Sequence, residues 1–124
     1  MKTVDYFERK LDDKRRLTIP AELHSEFGGE ELVITRGFGK YLHLYTKTVW
    51  NQLVEPKLQG DILDEQVADL NVKFRIGKVE AKIDGKQGRI SLDQQLLTYA
   101  GIGRDVAVVR VGAYWRIMAK TDVL

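Results

Sequence analysis

The 124-residue chain contains no cysteine, which removes disulfides, thiol nucleophiles and zinc–thiolate sites from consideration. Long apolar runs are missing too. None approaches the roughly 20 residues of a helical membrane span, and Met1-Lys2-Thr3-Val4-Asp5 lacks the apolar stretch of a secretory signal. These absences predict a soluble, cytosolic protein in a reducing compartment. An excess of one charge is also lacking. With 20 Lys/Arg against 18 Asp/Glu the net charge is +2, so composition by itself gives little support for nucleic-acid binding.

Catalytic constellations are equally sparse. His24-Ser25-Glu26 has the His-x-Glu order of zinc deaminases without their paired cysteines, and is read as an exposed helix histidine. His43 stands alone in a predicted strand. Gly37-x-Gly39 and Gly101-x-Gly103 lack the third glycine and the βαβ setting of a dinucleotide site, so turn chemistry explains them. Ser25 and Ser91 have no nucleophile-elbow motif. Trp50 and Trp115 lie in apolar patterns and are expected in a core or subunit contact. The chain is therefore expected to be no enzyme, and to use neither cofactor nor metal.

What is present is patterned. Residues 1–50 carry nine Lys/Arg against eight Asp/Glu, residues 51–80 four against six, and residues 81–124 seven against four, so the middle is acidic and the ends are basic. Within the first part Arg9, Lys10, Lys14, Arg15 and Arg16 fall within eight positions, interrupted by Asp12 and Asp13. This is a local positive patch on a nearly neutral chain.

The chain also repeats itself. Setting Arg16 against Arg89 aligns LDDKRRLTIPAELHSEFGGEELVITRG with IDGKQGRISLDQQLLTYAGIGRDVAVVRVG. Both stretches run through an apolar residue and Asp, a Lys-containing turn, Arg, an alternating run (Leu17-Thr18-Ile19 or Ile90-Ser91-Leu92), a short helix, a glycine and an apolar strand. The copies differ by an insertion, since Asp12 lies four residues before Arg16 and Asp84 five before Arg89. Pro20 suits a first helical position, where its missing N–H costs nothing, and Asp93 can cap the equivalent helix. Gly28 and Gly101 sit where left-handed C-caps are needed, and hairpins are expected to turn near Gly37-Phe38-Gly39-Lys40 and Gly112-Ala113. Each half thus reads strand, turn, strand, short helix, hairpin.

Between the halves the period becomes helical. Trp50, Leu53, Val54 and Leu58 form one stripe; Leu63, Val67, Leu70 and Phe74 form another, with Asp64 as a cap. Pro56 is expected to shorten or kink the first helix. The division read from this pattern is 3–47 for the first unit, 48–78 for a helical linker and 79–121 for the second unit.

Asp12-Asp13-Lys14-Arg15-Arg16-Leu17-Thr18-Ile19-Pro20 matches the AbrB-like loop Asp-x-Lys-Gly-Arg-x-x-x-Pro except that Arg15 replaces its glycine; the second copy keeps Gly88-Arg89 but has Asp93 for the proline. Two such units, with a Tyr-x-x-x-x-Trp stretch (Tyr45 to Trp50) opening the linker, resemble the MraZ family from about Tyr6 to Met118. The resemblance implies a mostly β fold with short helices, in which two swapped-hairpin β-barrel halves pair as a pseudo-dimer. It also implies a ring-shaped homo-oligomer, nucleoid-associated in the cytoplasm, that binds repeated promoter sites on double-stranded DNA and represses division and cell-wall genes. By the same likeness Arg16 is expected at a base or groove. Lys14 and Arg15 are expected at phosphate or base edges, Arg9 and Lys10 as weaker flanking contacts, and Arg89 as a secondary one. Arg chemistry suits the role, because its planar fork pairs bidentately with guanine. The other reading is an AbrB-like antitoxin that binds an operator and a partner protein.

Overall fold

The computed structural model describes residues 4–123 of the chain. The first half follows the expected order: β1 (Tyr6–Lys10), β2 (Arg16–Thr18), a 3-10 turn (Ala21–Leu23) running into α1 (His24–Phe27), then the hairpin of β3 (Leu32–Arg36) and β4 (Leu42–Thr46). Pro20 stands one residue earlier than expected. It is extended at φ −55°, ψ 140° and caps the 3-10 turn rather than opening it. Gly28 ends α1 at φ 61°, a left-handed conformation that costs a residue without Cβ little.

The linker comprises α2 (Lys47–Val49), a π-helical turn (Trp50–Val54), α3 (Glu55–Leu58) and α4 (Glu65–Arg75). Pro56 acts through that π turn. Its ring crowds the carbonyl four residues back and it has no amide to donate, and the helix widens immediately before it, with the Glu55 amide donating to the Trp50 carbonyl. The wider turn rotates Leu53 off its stripe, and Leu53 is exposed. Leu63 is likewise not part of a packed face. It precedes the cap Asp64, whose Oδ1 accepts the Gln66 amide at 2.9 Å, and is 92% exposed. Trp50, Leu58 and Phe74 do pack, and form a second small core with Val33 and Tyr45.

The second half repeats the first: β5 (Val79–Ala81), β6 (Arg89–Ser91), α5 (Gln94–Ala100), and the hairpin of β7 (Asp105–Val111) and β8 (Tyr114–Ala119). Asp93 caps α5 as expected, its Oδ1 accepting the Gln95 amide at 2.7 Å.

Apart from the two hairpins, β3–β4 and β7–β8, every strand pairing crosses between the halves. The antiparallel six-stranded sheet has the order β1-β7-β8-β4-β3-β5, and β2 pairs with β6 in a separate ribbon. Exchanging each strand for its repeat partner turns the six-strand order into its own reverse. The two halves are therefore related by a pseudo-twofold axis, which runs through the cross-strand pairs Leu17–Ile90 and His43–Arg116, each joining equivalent positions. Strand β1 pairs with β7 of the other half, and β5 with β3. Leu17, Ile19, Ile90 and Leu92 of the ribbon share one core with Leu32, Ile34, Leu42, Leu44, Val106, Val108 and Trp115 of the sheet. A half alone would leave β1 or β5 without a partner and the core open, the arrangement expected of a swapped-hairpin pseudo-dimer.

Candidate nucleic-acid interface

Each half presents one loop before its ribbon strand: loop one (residues 11–15) and loop two (residues 83–88). The ribbon holds both from the opposite side. The Leu92 amide donates to the Arg15 carbonyl at 2.9 Å, and the Ile19 amide donates to the Gly88 carbonyl at 2.7 Å. Both carbonyls must therefore face the other half's strand, and the backbone satisfies this with left-handed residues, Arg15 at φ 59° and Gly88 at φ 64°. Arg15 is the single non-glycine residue with positive φ among the described residues. Such a conformation costs an L-residue about 1–2 kcal/mol. The loop thus retains the shape a glycine would allow, and the arginine carries the strain.

An aspartate organises each loop. Asp12 Oδ1 accepts the Lys14 and Arg16 amides, both at 2.9 Å, while Oδ2 takes Arg16 Nε at 2.7 Å. Burial opposes ionisation of Asp12, yet these amides and the Arg16 guanidinium together hold its carboxyl below the usual range. In loop two Asp84 Oδ1 accepts the Lys86 and Gln87 amides at 3.0 and 3.4 Å, which depress its carboxyl in the same way. The extra residue between Asp84 and Arg89 changes the side-chain part of the copy: the Asp84 amide donates to the Arg89 carbonyl at 2.8 Å, as Asp12 does to Arg16 at 3.2 Å, but the Asp84 carboxylate lies 3.8 Å from the Arg89 guanidinium.

The six expected DNA-contacting residues are placed unequally. Lys14 and Arg15 are exposed at the tip of loop one. Arg16 and Arg89 are partly buried on the ribbon and converge on Asp12 Oδ2, the second at 3.5 Å, so one carboxylate ties both loops together. Lys10 is exposed opposite Asp105 in the β1–β7 register. Arg9, the next residue along the strand, is turned to the other face; its Nη1 donates to the Glu8 carbonyl at 2.9 Å and its guanidinium lies 5.3 Å from the Phe7 ring centre.

His24 was expected to be an exposed helix residue. It is instead partly buried at the base of loop two, with Nε2 2.9 Å from the Ile19 carbonyl oxygen. A Cβ at position 88 would lie 2.3 Å from that nitrogen, so Gly88 is held under the imidazole. The repeat equivalent of His24 is Leu97, and the equivalent of Gly88 is Arg15, which faces solvent. Loop one can therefore carry a side chain at its left-handed position and loop two cannot. Sequence spacing gave no sign of this contact, because His24 and residue 88 are far apart in the chain.

Two AbrB-like halves, cross-paired through a ribbon and each bearing an aspartate-anchored loop, define the class of this fold. Comparison with known sequences narrows it. The family described as "MraZ protein, putative antitoxin-like" matches residues 5–69. "Transcriptional regulator MraZ" of Kineococcus radiotolerans is 35% identical over 104 residues, covering 84% of this chain and 71% of that protein. The proteins of the same name from Kocuria rhizophila and Syntrophomonas wolfei are 33% and 38% identical, each covering 86% of this chain and 73% of their own length. The chain belongs to the MraZ family.

Proposed function

We propose that this protein is a transcriptional regulator that binds double-stranded DNA through loop one, with Lys14 and Arg15 at its tip and Arg16 at its base. The observation that carries the reading is the left-handed Arg15. A strained, solvent-facing cation is held in place by Asp12 and by the opposite strand, and no folding requirement calls for an arginine there. The relatives' shared name supports regulation of transcription. Arg16 keeps its terminal guanidinium nitrogens for a base edge while Nε stays on Asp12. Arg89, bound between Asp84 and Asp12, serves to couple the loops. Lys10 flanks the loop as a phosphate contact, and Arg9 contributes least. The units 3–47 and 79–121 act as one reading head, joined by 48–78.

One loop makes few contacts, and a good base pairing discriminates by about 1–3 kcal/mol, so specificity calls for several copies reading repeated sites. The family likeness supports a ring, as does the apolar surface left on the linker. Leu53, Ile62, Leu63 and Val72 are exposed there, beside a groove of ≈ 500 Å³ lined by Phe38, Leu58, Leu70, Phe74 and Tyr114. Repression of division and cell-wall genes is the regulatory role this reading assigns.

Selection of duplexes from a randomised pool, followed by fluorescence titration, tests the proposal. Enrichment of repeated sequences, with affinity for them lowered at least tenfold in Arg16→Ala, is the expected result. Unchanged affinity and salt dependence in Arg16→Ala, Arg15→Ala and Lys14→Ala would remove loop one from the interface.

A further inference from the structure

Beside loop one lies a notch of ≈ 230 Å³ lined by Leu11, Asp12, Asp13, Arg15, Gly103 and Arg104. Arg104 comes from the other half of the chain, immediately before β7. Its carbonyl accepts the Leu11 amide at 2.7 Å, and its Nε and Nη2 donate to the Leu11 carbonyl at 3.3 and 3.1 Å. One residue thereby grips both backbone groups of the position from which loop one departs. Its side chain remains 58% exposed, and Nη1 has no hydrogen-bond partner among the described residues.

We propose that this notch is a binding site for a DNA backbone phosphate, seated between Arg104 and Arg15 when loop one is on the duplex. The inference rests on the DNA-binding reading above and adds a residue from the second half to it. Guanidinium groups are well suited to the task, since their donors form charge-assisted bonds to phosphate oxygens. Two carboxylates share the notch, and both are accounted for. Asp12 has its oxygens on Lys14, Arg16 and Arg89. Asp13 is 95% exposed and meets Arg104 Nη2 at 3.4 Å, an ion pair in water that contributes little and that a phosphate can replace.

The pseudo-twofold axis supplies an internal control. Leu32 and Val106 hold equivalent places, so the residue corresponding to Arg104 is Glu30. Glu30 directs its carboxylate to the Thr48 amide and hydroxyl. A cation therefore stands beside loop one and an acid at the equivalent place in the first half. Together with the buried Gly88, this makes the head unequal: loop one has Arg15 and Arg104 at the places where the other half has Gly88 and Glu30.

The test is a salt-dependent titration of fluorescent duplexes, one of selected and one of scrambled sequence, against full-length variants. Arg104→Ala is expected to weaken binding about tenfold to both duplexes alike. It should reduce the slope of log affinity against log salt by about one, as loss of one phosphate contact requires. Arg104→Lys separates contact from loop support. Lysine restores the charge but cannot repeat the two-nitrogen grip on Leu11, so recovery of the salt slope identifies a phosphate contact. Asp13→Asn is expected to tighten binding by a few-fold, and less in the presence of Arg104→Ala. A salt slope unchanged in Arg104→Ala, while Lys14→Ala lowers it, would overturn the notch and leave the loop assignment standing. If no loop-one variant altered binding, the DNA reading itself would fail, and the notch with it.

Discussion

Arg15 combines the two demands made on loop one. Its carbonyl must reach the Leu92 amide, which imposes a left-handed backbone, and its side chain must remain in solvent at the tip. Glycine satisfies the first demand without strain but brings no charge. Arg15→Gly is therefore expected to stabilise the fold by about 1 kcal/mol while weakening DNA binding. Urea unfolding and duplex titration on the same preparation check both directions, and a variant that lost stability would show that the arginine side chain supports the loop. The departure from the family glycine was legible in the sequence. That arginine adopts glycine's φ was not, because the force responsible is a hydrogen bond from residue 92.

At the scale of elements, the two loops look alike in sequence and differ in what lies against them. Loop two is closed by α1, through His24 over Gly88, while loop one is open toward the Gly103–Arg104 turn. Gly88→Ala meets both a left-handed backbone and a nitrogen 2.3 Å from the new Cβ. A loss of about 2 kcal/mol or more is expected from strain and overpacking together. Adding His24→Ala should restore the packing part and leave the backbone part. Chemical denaturation of the single and double variants measures this, and equal stability of the two would contradict a wedge. Helix caps and turns were readable locally: Asp64, Asp93, Gly28 and Gly101 act within a few residues of where they stand. The packing of the linker stripes was readable only in part, because the π turn before Pro56 shifts the periodicity that puts Leu53 on a helical face.

On the scale of the molecule, the pseudo-twofold axis passes near a titratable group. His43 pairs with Arg116 across β4 and β8 and shares a 2.7 Å hydrogen bond between Nδ1 and the Tyr45 hydroxyl. Tyr41, Phe74 and Tyr114 surround it. Burial, aided by the positive charge of Arg116, lowers His43 from its ordinary 6.5 to about 4. Burial also pushes the Tyr45 hydroxyl well above its usual range, so it stays protonated. Between these histidine values the unfolded chain binds the proton and the native protein does not. Native stability is therefore full above pH 6.5 and declines as pH falls toward 4, by on the order of 3 kcal/mol for the shift given. Urea unfolding across this window should show the slope, and His43→Gln should flatten it. An equal slope in the variant would place the titration elsewhere.

The sequence by itself determined the order of elements, the internal repeat, the caps and the basic turn, since each depends on residues close together in the chain. It also determined the family, because the loop motif survives in recognisable form. Only the tertiary structure decided that β1 belongs to β7 and β5 to β3, that Asp12 binds arginines from both halves, and that Arg104 stands behind loop one while His24 closes loop two. Strand partners come from opposite ends of a swapped sheet, where alternation shows which face is buried but not which strand lies alongside. Two similar loops thereby acquire different neighbours, Arg104 at loop one and His24 at loop two.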